Sequence, residues 1–258
     1  MRERNGSRAA GEVRGLGQVL SVVSGKGGTG KTSVCAGVAS CLAAEGKRVL
    51  AIDADVGLRN LDISLGMSEM AVLPFSSVMR GEYGLDKASR HPDIDGLSLL
   101  TAPVTEEAES LEPALFGAML EAAREQFDFI FIDAPAGIGA GFRLATRFAD
   151  GAIVVSGSDP ASLRDAARAA ELLPETAEAR LVVNRVSSRL YARMNATVDD
   201  VMDGVGLPLL GIVPEDGSVT LASAQGVPLI LYTGRGAACA CLHIARRLLG
   251  KKVKLMRL

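Results

Sequence analysis

Between residues 24 and 32 the chain reads Ser24-Gly25-Lys26-Gly27-Gly28-Thr29-Gly30-Lys31-Thr32, which places four glycines, two lysines and three hydroxyls in nine positions. Glycines at this density let the backbone turn successive N–H groups inward around an anion. A helix starting directly after them directs the positive end of its dipole at the same point. The spacing G-x-x-x-x-G-K-[ST] is that of a phosphate-binding loop, in which Lys31 contacts the β- and γ-phosphates of a nucleotide and Thr32 ligates Mg²⁺. The flanks supply the context this chemistry needs. Gln18 to Ser24 is an apolar, β-branched run that suits a buried strand, and Thr32 to Ala44 is rich in small and helix-forming residues. Lys26 exceeds the pattern, and by itself reads either as a solvated loop lysine or as a second cation for the same phosphates.

Carboxylates mark the ends of two further apolar runs. Arg48 to Asp53 continues as Asp53-Ala54-Asp55-Val56-Gly57-Leu58-Arg59-Asn60-Leu61-Asp62, and Phe127 to Ile132 ends in Asp133, followed by the turn Pro135-Ala136-Gly137. Parallel sheets bind ligands at the carboxyl ends of their strands, so Asp53, Asp55 and Asp133 are expected at a nucleotide edge; a cap or turn role is the alternative for the first two. Asp133 has the form of a Walker B aspartate, which holds Mg²⁺ through water. Strand and helix patterns then alternate: 152–156 strand, 161–173 helix, 180–184 strand, a helix, 209–213 strand and a final helix. This predicts an α/β fold, a doubly wound, mostly parallel sheet flanked by helices.

The segment Lys-Gly-Gly-Thr-Gly-Lys-Thr, residues 26–32, resembles the deviant Walker A group of P-loop ATPases, the MinD/ParA family, and the resemblance runs from about residue 18 to about residue 250. It implies that Lys26 reaches across a nucleotide-sandwich homodimer to the partner's phosphates, a cation supplied in trans to the transferred phosphoryl group. Asp53 to Asp62 is similar to the first switch segment of the MinD branch. That likeness implies that Asp55 orients the attacking water, that Asp53 lies near the Mg²⁺ shell, and that Asn60 to Asp62 respond to the γ-phosphate. Residues 135–137 correspond to a second switch, where this branch commonly carries a glutamate and the chain has Gly139-Ala140-Gly141. Asn184, Arg185, Pro214, Glu215 and Asp216 resemble the family's adenine-binding positions, and Ser162 to Asp165 its dimer and partner helix. With Gly25 to Ser33 they form the implied binding set for MgATP: Gly25, Lys26, Gly27, Gly28, Thr29, Gly30, Lys31, Thr32 and Ser33. Lys26, Lys31 and Asp55 are the implied catalytic residues, with Thr32, Asp53 and Asp133 at the metal.

The activity so implied is Mg²⁺-dependent hydrolysis of ATP that switches a homodimer, which recruits a division inhibitor at the inner membrane and is reset with the help of an activating partner protein. Relatives that place flagella or partition DNA share such a site. A small-molecule phosphotransferase would need neither Lys26 nor the segment 57–62.

With 258 residues, 48% of them hydrophobic, and a formal net charge of −2, the chain has material for one large core and no global attraction for nucleic acid. Four cysteines, at 35, 41, 239 and 241, with no leader and no spanning run, point to the cytosol. Cys239-Ala240-Cys241 raises an iron–sulfur carrier as a further alternative, although its alanine neighbours suit helix packing. His91 and His243 lack metal-ligand spacing. Residues 1–17 carry no apolar periodicity and read as a disordered tail. Residues 251–258 are basic, and the resemblance implies an amphipathic helix lying on a membrane. A helical wheel spreads their apolar residues over two sides, so one tail binds weakly and two in a dimer act together.

Overall fold

The computed structural model describes residues 15–70, 72–187 and 198–255. Along them run β1 (Gln18–Val23), α1 (Lys31–Ala44), β2 (Val49–Asp53), α2 (Leu61–Ser64), α3 (Phe75–Met79), β3 (Ser89–Arg90), β4 (Leu97–Leu100), α4 (Pro113–Gln126), β5 (Phe129–Asp133), α5 (Ala140–Thr146), β6 (Gly151–Ser156), α6 (Pro160–Glu171), β7 (Glu178–Val186), α7 (Val198–Val205), β8 (Leu209–Pro214), α8 (Gly217–Ala224), α9 (Leu229–Tyr232) and α10 (Gly236–Leu248). The strands form one sheet in the order β3-β4-β2-β5-β1-β6-β7-β8, and every neighbouring pair is parallel except β3 with β4. This is the expected doubly wound class. β3 and β4 are additions to it: β3 has two residues, and β4 reads Leu-Ser-Leu-Leu, without the β-branched residues that signal a strand.

Helices cover both faces of the sheet, so the central strands are apolar at successive positions. Val49, Ala51, Phe129 and Phe131 enter one core, and Leu50, Ile52, Ile130 and Ile132 enter the other. The first core is closed by α1 and α10, which pack against each other. Small residues make that approach possible: a Cβ built on Gly37 of α1 would sit 2.6 Å from Cys241 Sγ of α10. Cys35 and Cys41 are buried on α1, as packing residues. His91 is structural too, with Nε2–H donating to Leu65 O (2.8 Å) and Nδ1 accepting from the N–H groups of Asp93 (3.0 Å) and Ile94 (3.1 Å).

The two ends depart from expectation where they are described. Residues 1–14 of the expected tail lie outside the described residues, but Gly17 is held on the body. Its N–H donates to Arg124 O, and a Cβ there would lie 2.0 Å from Phe127 O. At the other end no helix forms over residues 251–255, because Gly250 takes φ 73° and closes α10. Residues 256–258 lie outside the described set.

Gly37→Val is expected to destabilise the protein by about 1–3 kcal/mol through overpacking. Urea unfolding checks it, and Cys241→Ala added to the same chain should restore much of the loss.

Candidate nucleotide site

β1 ends beneath a loop whose shape is fixed by two close approaches. A Cβ on Gly25 would lie 2.1 Å from Asp165 O in α6, and one on Gly30 would lie 2.2 Å from Asn184 Nδ2 at the end of β7. Gly30 also takes φ 83° directly before α1 begins at Lys31, a conformation that side chains disfavour. Asn184 donates from Nδ2 to Thr29 O at 2.8 Å, so one of its donors belongs to the loop rather than to a base edge. The hydroxyl oxygen of Thr29 is buried without a hydrogen-bond partner. A cradle of backbone, an orphaned hydroxyl and a glycine with no room for a side chain together fit a bound phosphate chain.

The carboxyl ends of β2 and β5 place Asp53 beside Asp133 in register. Both are buried, at 0% and 1% exposure, and each is answered differently. Asp133 Oδ1 accepts from Lys31 Nζ at 3.0 Å, and the Thr32 hydroxyl bonds the same carboxylate. Burial pushes the Asp133 carboxyl up, and the Lys31 ammonium opposes that. Asp53 is held by backbone: Oδ1 accepts from Asp55 N–H (3.0 Å), and Oδ2 from Asn60 and Leu61 N–H (3.1 Å each). Burial, and then the Asp133 charge, push the Asp53 carboxyl up to about 6 against the pull of these donors. Asp53 therefore pins the segment 55–61 to the sheet. Asp55, half-buried, lines the loop cavity, and burial raises its carboxyl as well.

The two lysines of the loop face different partners. Lys31 is 7% exposed and points into the sheet edge, while the Lys26 side chain is 39% exposed and lies 3.4 Å from Asp159 Oδ1. Asp159 caps α6, accepting from Ser162 N–H at 3.0 Å, and the Ser162 contacts followed by Lys26 hold its carboxyl down at about 2. Asp159 and Pro160 open α6, and nothing in the sequence joins them to Lys26.

Two adjoining cavities sit over these residues. One, of about 520 Å³, is lined by residues 26–33 with Asp55, Asn60, Ser64 and Ser223. The other, of about 280 Å³, contains Asn184, Arg185, Pro214, Glu215 and Asp216, all five expected base-binding positions, and shares Gly30, Ser33 and Arg185 with the first. Its apolar wall comes from Val34, Leu229, Ala237 and Cys241, which sequence reasoning missed because they come from α1, α9 and α10. A register shift after Val183 breaks the β7 ladder, and Arg185 takes φ 55°, which re-aims Asn184 and Arg185 at the cavity. Asp216 caps α8 through Ser218 N–H (2.8 Å) and accepts from Ala237 N–H (2.9 Å), fastening α10 to the cavity rim.

The model of the CobQ/CobB/MinD/ParA nucleotide binding domain matches residues 20–229. The chain belongs to this family. It is 36% identical over 248 residues to the septum site-determining protein MinD of Bacillus subtilis, covering 93% of this chain and 92% of that protein. Among solved structures it resembles the MinC:MinD cell division protein complex of Aquifex aeolicus (TM-score 0.86, 32% identity, 93% and 98% of the two chains). It also resembles MinD complexed with Mg-ADP from Pyrococcus horikoshii (TM-score 0.78, 26% identity, 90% and 96%).

After the Pro-Ala-Gly turn, where the resemblance implies a glutamate, the chain carries Gly139-Ala140-Gly141. Gly141 is there for packing, since a Cβ on it would lie 2.4 Å from Pro135 Cγ. Gly137 takes φ 84° and Ile138 is exposed, so the turn presents backbone and one apolar side chain to its surroundings. The C-x-C cysteines diverge: Cys241 faces Gly37, whereas Cys239 Sγ lies 3.7 Å from His243 Nε2. Among the described residues no group of three or more His, Cys, Asp or Glu is arranged to hold a metal ion.

Gly30→Ala is expected to weaken nucleotide binding at least about tenfold, since backbone strain and the Asn184 clash both oppose the loop; calorimetric titration with ADP measures it. In the nucleotide-free protein the Asp53 carboxyl should titrate near 6 by carbon NMR rather than near 3.8. Because the folded value is raised, its protonated form favours the fold below 3.8, and that contribution is lost as pH rises through about 6.

Proposed function

We propose that the chain is an ATP-driven dimerising switch of the MinD type, acting in placement of the division site. The observation that carries this reading is the division of labour between two lysines of one loop: Lys31 is turned inward to the buried Asp133, and Lys26 outward to Asp159 at the loop's rim. A nucleotide that satisfies Lys31 within its own subunit leaves Lys26 to serve phosphates presented by a second subunit. The septum site-determining relative and the solved structures of a MinC:MinD complex and of MinD with Mg-ADP support the same reading.

In this scheme Gly25 to Ser33 wrap the phosphates, with Lys31 on the β- and γ-oxygens, and Asn184, Arg185, Pro214, Glu215 and Asp216 enclose the base. Thr32 and Asp133 would hold Mg²⁺, with Asp53 behind them, and the ion would neutralise charge on the phosphoryl oxygens. Asp55, on the cavity wall, orients the attacking water, and its raised carboxyl suits it to accept a proton. Asn60 and Leu61 hang by their N–H groups from Asp53, so the segment that senses the γ-phosphate is anchored at the metal edge. The dimer recruits a division inhibitor, hydrolysis helped by an activating partner separates it, and the cycle repeats.

Among the described residues no helix is long and apolar enough to cross a membrane. Membrane association in this reading is peripheral, through the basic segment from Lys251, and doubled by dimerisation.

Lys26→Ala should keep ATP binding yet lose the ATP-dependent dimer in light scattering, and should lower kcat by an amount on the order of 10³, the worth of a cation supplied in trans. An undiminished dimer would remove the trans role. Sedimentation with anionic liposomes should be greater in ATP than in ADP, and equal pelleting would disconnect the switch from the membrane.

A further inference from the structure

After α10 the chain closes back on itself. Gly250 N–H donates to Arg247 O (3.0 Å) and Lys251 N–H to Arg246 O (2.9 Å), which ends the helix. Both oxygens of Glu45 are then occupied: Oε1 accepts from Arg246 Nε at 2.8 Å, and Oε2 accepts from the Lys251 ammonium. The Lys251 bond, followed by that of Arg246, holds the Glu45 carboxyl below its ordinary value. Two residues further on, Arg247 donates to Val253 O through Nε (3.3 Å) and Nη2 (3.0 Å), while Nη1 reaches Leu210 O in β8 at 2.8 Å.

Glu45 is the residue that terminates α1, the helix whose first residue is Lys31. α10 likewise starts at the base cavity, where Asp216 accepts from Ala237, and ends at the same Glu45. Both helices thus run from the nucleotide to the basic end of the chain, touching midway at Gly37 and Cys241.

We propose that the Glu45–Lys251 and Arg247–Val253 contacts form an autoinhibitory strap, which keeps residues 251–255 folded on the protein until an anionic lipid surface takes Lys251 from Glu45. The strap is poised rather than tight. Lys251 is 53% exposed, and an ion pair so open to water is readily exchanged for a lipid phosphate. Lipid is the fitting competitor because Lys251, Lys252 and Lys254 lie among Val253 and Leu255, and Leu255 is 49% exposed. The lipid destination rests on the membrane association proposed above; the strap itself does not.

Two measurements on the full chain test it, with folding followed by thermal melting. In Glu45→Gln, Lys251 should react faster with an amine-reactive reagent followed by mass spectrometry, and binding to phosphatidylcholine vesicles containing phosphatidylglycerol should tighten about threefold, the scale of one exposed ion pair. The control is the triple variant Lys251→Gln, Lys252→Gln, Lys254→Gln. Unchanged labelling overturns the strap. Faster labelling with unchanged vesicle binding, where the triple variant does lose binding, overturns the inhibitory role and leaves membrane association standing. Vesicle binding that survives in the triple variant overturns both lipid as the competitor and the membrane reading.

Discussion

Two carboxylates buried side by side, one paired with an ammonium and the other held by backbone, constrain the sheet edge. Asp53 and Asp133 are neighbours because β2 and β5 pair in register, and neither has water to stabilise its charge. Taking such groups out of water costs several kcal/mol apiece unless they are answered locally. The fold answers one with Lys31 and Thr32 and the other with three backbone N–H groups. Lys31 cannot serve Asp133 and a phosphate chain equally, so filling the loop leaves a buried carboxylate in need of a cation. A divalent metal would fit that vacancy of charge, and in the proposed scheme this would couple nucleotide to metal.

The same electrostatics ties the moving parts to the rigid ones. Asp53 belongs to the sheet, yet its hydrogen bonds go to residues 55–61, and Gly57 N–H reaches Pro103 O beyond β4. Hydrogen bonds thus connect Asp53 to the segment that carries the exposed Leu58. Across the loop, Gly25 lies against Asp165 and Lys26 against Asp159, so α6 is set by the loop at two points. One of these contacts needs a glycine and the other uses a helix cap.

The phosphate loop and the strand-end aspartates were legible in the sequence because their chemistry demands fixed residue types at fixed spacing. The central strands were legible because burial on both faces leaves unbroken apolar runs such as Phe129 to Ile132. What escaped depends on contacts between distant segments. Asn184 was readable as an amide near a base, but its bond to Thr29 exists only because β7 breaks register beside the loop. The pairing of Asp159 with Lys26 escaped because it joins positions 133 residues apart. β4 escaped because its leucines give no period, and the basic end was measured against a helix although Gly250 closes α10 before it.

α10 carries a consequence for how the protein comes into being. Ala237 and Cys241 form part of the wall of the base cavity, and Asp216 fastens the start of α10 at its rim. The phosphate loop, by contrast, lies within the first 32 residues. During synthesis the glycine loop is made long before α10, which completes the wall of the second cavity. A chain cut short before residue 236 carries a phosphate loop with an open-sided pocket. In the proposed scheme the base would be fully enclosed only once α10 has been made and docked.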